Sequence, residues 1–181
     1  MADPRVARIQ SLIRNIPDFP EQGIQFKDIT PLLASAQGLR DTIEEMLECT
    51  PEGIDVVAGI ESRGFVFGAP LAIALGVGFV PIRKPGKLPA AVYEQAFDLE
   101  YGHSALNIHT DALKPGQHVA LVDDLLATGG TMVAAKKLIE QAGGVLSHVQ
   151  VVIELAGLGG PAKLKAAGVT SYGTIVSYPD K

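Results

Sequence analysis

The stretch Val119 to Thr131, VALVDDLLATGGT, constrains the fold more than any other part of the chain. Val119 to Val122 reads as a buried strand. It runs into Asp123-Asp124, two more apolar residues, and then Ala127-Thr128-Gly129-Gly130-Thr131. A helix is expected over Thr131 to Ala142, stopped by Gly143-Gly144. A strand feeding a helix through a glycine-rich turn is the repeating unit of a parallel sheet, because right-handed crossovers pack the helix back onto the sheet. Ligands of such sheets sit at the carboxyl ends of the strands. Small residues there let the main chain close around an anion, and the free N–H groups and dipole of the helix start favour one.

The rest of the chain fits that frame. Ile54 to Ile60 and Val149 to Leu155 are further apolar strands, with a shorter one at Gly173 to Val176. Apolar residues at 6, 9, 12 and 13, and at 39, 43, 46 and 47, mark helical faces. Ile16 to Pro20 breaks the first helix, and Pro31 to Ala36 can start another. The expected fold is α/β: a twisted, mainly parallel sheet flanked by helices, with residues 1–181 forming one domain. With 47% apolar and 19% charged residues the chain is not disordered. Lys84 to Asp111 stands apart. It is rich in Gly, Pro, Tyr and charge, has no strong period, and is too long for a simple connection, so it reads as a lid.

Gly64 to Ile82 runs 19 residues without a charge, the length of a short membrane span. Four glycines and two prolines interrupt it, so it reads as a buried helix near Pro70 to Leu75 followed by a short strand to Ile82. Met1 to Pro20 is charged throughout and has no apolar signal core. A net charge of −5 argues against nucleic acid as a partner, while leaving room for a local phosphate site. The lone Cys49 suits a reducing, cytoplasmic compartment. His103, His109, His118 and His148 lack metal-ligand spacing and are expected to be structural or superficial.

Asp123 and Asp124, beside an anion cradle, need hydroxyls or a metal ion to hold. A sugar phosphate offers ring hydroxyls to the acids and a phosphate to the loop. A generic Asp-Asp with a later Gly-Gly also serves as a helix cap and turn. The full spacing is more specific. It resembles the 5-phosphoribosyl-1-diphosphate (PRPP) motif of the type I phosphoribosyltransferases, in the version carried by their adenine-using branch. The resemblance extends along the chain. Phe19-Pro20, Gly23 and Phe26 to Pro31 resemble the N-terminal base-binding segment of that branch. Gly59 to Phe65 resembles its pyrophosphate loop, Arg83 to Pro89 its basic flap entry, and Leu99 to Gly102 its catalytic flap. Position 61 is Glu where many members have Asp, and position 27 is Lys where some have Arg.

The resemblance implies the type I fold, with an N-terminal base-binding hood near residues 1–33 and a flexible flap near 84–111. It implies transfer of phosphoribose from PRPP to adenine with Mg²⁺, which arrives on PRPP with no protein ligand assigned. It also implies a homodimer, for which the apolar Gly64 to Leu75 helix could serve as the interface. Asp123 and Asp124 would hold the ribose hydroxyls, and Ala127, Thr128, Gly129, Gly130 and Thr131 the 5′-phosphate. Arg63, Arg83 and Lys87 would face the pyrophosphate. Glu100 would be the general acid/base and Tyr101 would line the ribose. Gln25, Phe26, Lys27 and Leu125 would meet adenine through the carbonyl of residue 25, the ring of residue 26 and the N–H of residue 27. By pattern alone, Phe26 is equally a core residue, whereas an exposed loop acid at Glu100 and a solvated charge at Arg63, Arg83 or Lys87 are the weaker readings.

Other readings are weaker. Gly157 to Ala162 matches the dinucleotide pattern G-x-G-x-x-A after a strand, but only 19 residues follow it, too few for a second nucleotide-binding half. A PRPP-sensing purine repressor calls for a DNA-reading domain and a basic surface, whereas only Met1 to Pro17 precedes the base-binding segment. Xanthine or hypoxanthine/guanine specificity is the alternative within the family.

Overall fold

The computed structural model describes residues 3–98 and 102–179. Helix α1 (Pro4–Ser11) starts where the Asp3 carboxylate accepts the Arg5 N–H and proline takes the first turn. Strands β1 (Arg14–Pro17) and β2 (Gln25–Asp28) follow as an antiparallel pair, with Ile16 opposite Phe26. This hairpin occupies the segment that the sequence pattern reads only as a break. Asp18 turns it at φ 55°, and its carboxylate accepts the Gly23 N–H at 2.7 Å. Helices α2 (Thr30–Ala34) and α3 (Ala36–Cys49) meet at Ser35, whose hydroxyl caps α3 by accepting the Gly38 N–H.

Strand β3 (Val56–Ile60) leads into helix α4 (Arg63–Leu75) and strand β4 (Gly78–Ile82). Helix α4 starts seven residues before the expected Pro70, which sits inside it. Its glycines lower the apparent propensity, but they permit close packing. A β-carbon on Gly64 would lie 2.7 Å from the Val122 carbonyl oxygen, so only glycine lets this turn sit against the neighbouring strand.

Within the expected lid, β5 (Val92–Asp98) and β6 (His103–His109) pair antiparallel. The lid is therefore not irregular. Tyr93, Gln95 and Phe97 turn inward while Glu94, Ala96 and Asp98 are exposed, a period of two that mixed polarity hides. Strand β7 (His118–Leu126), helix α5 (Gly130–Gln141), strand β8 (Val145–Leu155), one 3₁₀ turn at Ala156–Leu158, helix α6 (Gly160–Ala166) and strand β9 (Tyr172–Tyr178) complete the chain. Strand β8 begins four residues earlier than its apolar run. Ser147 and His148 precede that run and hide the strand's start, yet His148 is buried between Ser171 Oγ at 2.7 Å and Gln150 Oε1 at 3.0 Å, and burial holds its pKa below the usual value.

The five-stranded sheet is parallel throughout, in the order β4-β3-β7-β8-β9. Alternate residues serve opposite faces. Val56, Ala58, Val119 and Leu121 pack with Met132, Leu138 and Ile139 of α5. Val57, Ala120 and Val122 pack with Ile9, Phe67 and Leu71 of α1 and α4. The chain leaves β3 and β7, which are neighbours, toward opposite edges of the sheet, and that divergence opens a crevice at their carboxyl ends. No described helix is long and apolar enough to cross a membrane.

Candidate active site

Strand β3 delivers Arg63 to that crevice, and β7 delivers Asp123 and Asp124. Arg63, Asp123, Asp124, Leu125 and the loop Ala127 to Thr131 line one cavity of about 160 Å³. The two acids and the glycine loop, adjacent in sequence, therefore do share a site. Gly129 holds φ 84°, a left-handed conformation suited to glycine, and lets α5 begin at Gly130 with its first N–H groups turned to the loop.

The carboxylates are not a simple cap. The Asp124 side chain is only 5% exposed, and Arg63 Nε lies 2.9 Å from its Oδ2. The guanidinium is not aimed along that contact, and Oδ2 is buried without a hydrogen bond. The Asp124 N–H donates to Asp123 Oδ1 at 2.9 Å. Burial, then the charge of Asp124, pushes the Asp123 carboxyl well above the ordinary carboxylate value. Burial also raises Asp124, with Arg63 opposing the shift. Two adjacent carboxylates on one ledge, matched by the single cation Arg63, fit a ligand that brings hydroxyls or a cation.

Arg63 also reaches the hood. Its guanidinium carbon is 5.6 Å from the centre of the Phe26 ring. Phe26 is half-buried and meets Phe19 edge-on at 5.1 Å, and Phe19 is 51% exposed. Phe26 is thus an accessible aromatic beside the acid pocket and not a core residue. The neighbouring side chains point into the hood frame. Gln25 Oε1 accepts from Asn15 Nδ2 at 2.6 Å. Lys27 Nζ donates to Asn15 Oδ1 at 3.0 Å and lies 4.4 Å over the Tyr178 ring. The main chain faces the other way. Phe19 N–H donates to the Ile24 carbonyl from the β1 side, and alternation along an extended strand then turns the Gln25 and Lys27 main-chain groups to the open edge of β2.

Arg83 is held elsewhere. Its Nε and Nη2 bond both Glu61 oxygens at 3.2 and 3.3 Å, and its Nη1 donates to the Lys87 carbonyl. Burial pushes the Glu61 pKa up, but the Lys84 N–H and Arg83 outweigh it and leave it lowered. The structure therefore spends Arg83 on Glu61 and leaves Lys87 exposed at the flap entry. Glu100 and Tyr101 lie outside the described residues, between Asp98 and Gly102. Among the described residues no cluster of three His, Cys, Asp or Glu side chains could hold a metal ion.

Sequence reasoning missed Gly160. A β-carbon there would fall 2.4 Å from the Ala127 carbonyl oxygen, so α6 starts in direct contact with the glycine loop. The signal was present as the dinucleotide-like run Gly157 to Ala162.

The model of the phosphoribosyl transferase domain matches residues 25–166. The chain is 52% identical to an adenine phosphoribosyltransferase of Cutibacterium acnes, over 93% of this chain and 96% of that protein. It is 57% identical to one from Clostridium perfringens, over 90% and 95%. Among solved structures, the adenine phosphoribosyltransferase of Thermoanaerobacter pseudethanolicus superposes with a TM-score of 0.91 at 47% identity, covering 96% of this chain and 99% of that one. The Saccharomyces cerevisiae enzyme, solved with an imino-altritol bisphosphate and adenine, gives 0.88 at 37% identity, covering 95% and 98%.

Proposed function

The chain belongs to the phosphoribosyl transferase family, and from that premise we propose how its residues divide the work. The reaction joins adenine to PRPP and yields AMP and pyrophosphate. One observation carries the residue-level reading: the Asp123-Asp124 pair, with Asp124 buried and ion-paired to Arg63, shares a cavity with the Ala127 to Thr131 loop. Ribose hydroxyls donate to the acids while loop N–H groups and the hydroxyls of Thr128 and Thr131 bind the 5′-phosphate.

The bond from the anomeric carbon to pyrophosphate breaks through an oxocarbenium-like state, so positioning and charge do most of the work. The paired acids favour positive charge on the ring. Arg63, half-exposed beside them, moves from Asp124 to the departing pyrophosphate, assisted by Lys87. Arg83 acts with them only if Glu61 releases it. Mg²⁺ fits as substrate-borne metal, because the pocket offers two carboxylates and no full ligand set, as magnesium sites on phosphates commonly do. When bound, it supplies positive charge to the pyrophosphate oxygens. Glu100 takes the imidazole proton that adenine loses as its nitrogen bonds to carbon, and Tyr101 covers the ribose. The flap excludes water that would capture the cation.

Adenine lies on Phe26 with Leu125 beneath, its 6-amino group donating to the Gln25 carbonyl and its N1 accepting from the Lys27 N–H. Fixed main-chain groups cannot rotate, so a 6-oxo purine leaves like groups facing each other, which can cost on the order of several kcal/mol. Incubation with PRPP, Mg²⁺ and each purine in turn tests this: AMP is the expected product. Comparable IMP, GMP or XMP formation would favour the hypoxanthine/guanine or xanthine alternative. Phe26→Ala should raise the adenine KM on the order of ten-fold, from stacking worth about 1–3 kcal/mol, without admitting hypoxanthine. Gln25→Ala should change little. Lys27→Ala should keep the base preference, because the main-chain N–H remains, and lower stability by about 0.5–1.5 kcal/mol, since water can replace the donor at the exposed Asn15 Oδ1. A switch to a 6-oxo purine in competition assays would make the Lys27 side chain the reader.

The homodimer and the cytoplasm belong to the same reading. Val66 and Ile73, seven residues apart on the outer face of α4, are 37% and 81% exposed and support a dimer through that helix. The single Cys49 supports a reducing compartment.

A further inference from the structure

The dinucleotide-like run Gly157 to Ala162 has no part in the transfer chemistry, yet it sits against the loop assigned to the 5′-phosphate. Gly160 contacts the Ala127 carbonyl so closely that no side chain fits, and a β-carbon on Gly129 would lie 3.1 Å from the Gly160 carbonyl. This locks α6 to the loop. One turn into α6, Lys163 projects back along it. A β-carbon on Gly129 would lie 3.5 Å from the Lys163 Cβ, and one on Gly130 would lie 3.7 Å from the Lys163 Nζ. The ammonium therefore stands beside Gly130, the first residue of α5, on a second cavity of about 300 Å³ that lies on the other side of the loop from the acids and is also lined by Lys137 and Asp98.

Charge makes the position informative. Asp123, partly buried, and Asp124, buried, share the loop's cavity and repel a phosphate. Arg63 lies on Asp124 and Arg83 on Glu61. Asp98, the acid on the Lys163 cavity, has its carboxylate against His103. Among the described residues Lys163 has no salt-bridge partner. A dianionic phosphate held by main-chain N–H groups and threonine hydroxyls beside two carboxylates lacks a counter-charge, and Lys163 is a cation beside Gly130 of that loop.

We infer that Lys163 is a binding residue for the 5′-phosphate, carried to the loop by the Gly157 to Gly160 turn. This rests on the reading of Ala127 to Thr131 as the phosphate loop. Isothermal titration of the full chain with ribose 5-phosphate and, separately, with pyrophosphate tests it. Lys163→Met should weaken ribose 5-phosphate about ten-fold or more, the range of a lost hydrogen bond to a charged group, and leave pyrophosphate within about two-fold. Lys163→Arg should restore most of the loss. The PRPP KM should rise in Lys163→Met with kcat at saturation nearly unchanged. Equal affinity of Lys163→Met and wild type for ribose 5-phosphate overturns the inference, provided Thr131→Val still weakens that ligand. If Thr131→Val has no effect either, the loop assignment itself fails.

Discussion

Asp124→Asn is expected to fold and to lose about 10²- to 10³-fold in kcat/KM for PRPP, the usual scale for removing one preorganised electrostatic group. Asp123→Asn is expected to do the same. Both carboxylates lie where the sheet needs no charge, packed at the end of β7. Stability should move the other way for Asp123. Its native pKa is raised, so the favourable contribution is fully present below the unfolded value near 3.9 and is lost as pH rises through the native value. At neutral pH the buried charge is a cost, and asparagine removes it. The Tm of Asp123→Asn should equal or exceed that of the wild type. The wild type should also lose kcat/KM as pH falls through that raised value, since a protonated Asp123 no longer offers the negative charge that favours the cation, and the mutant should lose this limb. Wild-type turnover in either mutant would remove the sugar-hydroxyl role.

The second large effect lies on the flap. Glu100→Gln should retain PRPP binding and lose about 10²- to 10⁴-fold in kcat, the range for a general acid/base. Glutamine keeps the size and polarity of the side chain and cannot take the proton. Titration of the mutant with PRPP and steady-state rates with adenine separate the two functions. Unchanged kcat with collapsed PRPP affinity would make Glu100 a binding residue.

These expectations show which parts of the molecule the sequence exposes. Strand, acids, loop and helix at 119–142 were legible because pattern and chemistry occupy contiguous residues, and β3 because its residues are buried on both faces. The β1–β2 hairpin was not, since four-residue strands such as Arg14-Asn15-Ile16-Pro17 are too short for a period to emerge. The β5–β6 pair was hidden because Glu94 and Ala96 alternate with Tyr93, Gln95 and Phe97 in a sequence otherwise full of glycine and proline. Side-chain commitments across space were beyond reach. Arg83 bonds Glu61 across 22 positions, which no local spacing signals. Lys163 approaches Gly130 only because Gly160 lets two backbones touch, so its run resembles a nucleotide motif while serving as a packing joint.

A crystal structure of the protein with AMP bound tests the account most directly. The ribose 2′- and 3′-hydroxyls should lie within about 3 Å of the Asp123 and Asp124 carboxylates. The phosphate should sit on the N–H groups of residues 128–131, and the base on Phe26 with its edge to the β2 main chain. A phosphate seated away from that loop, or a ribose turned from both acids, would contradict it.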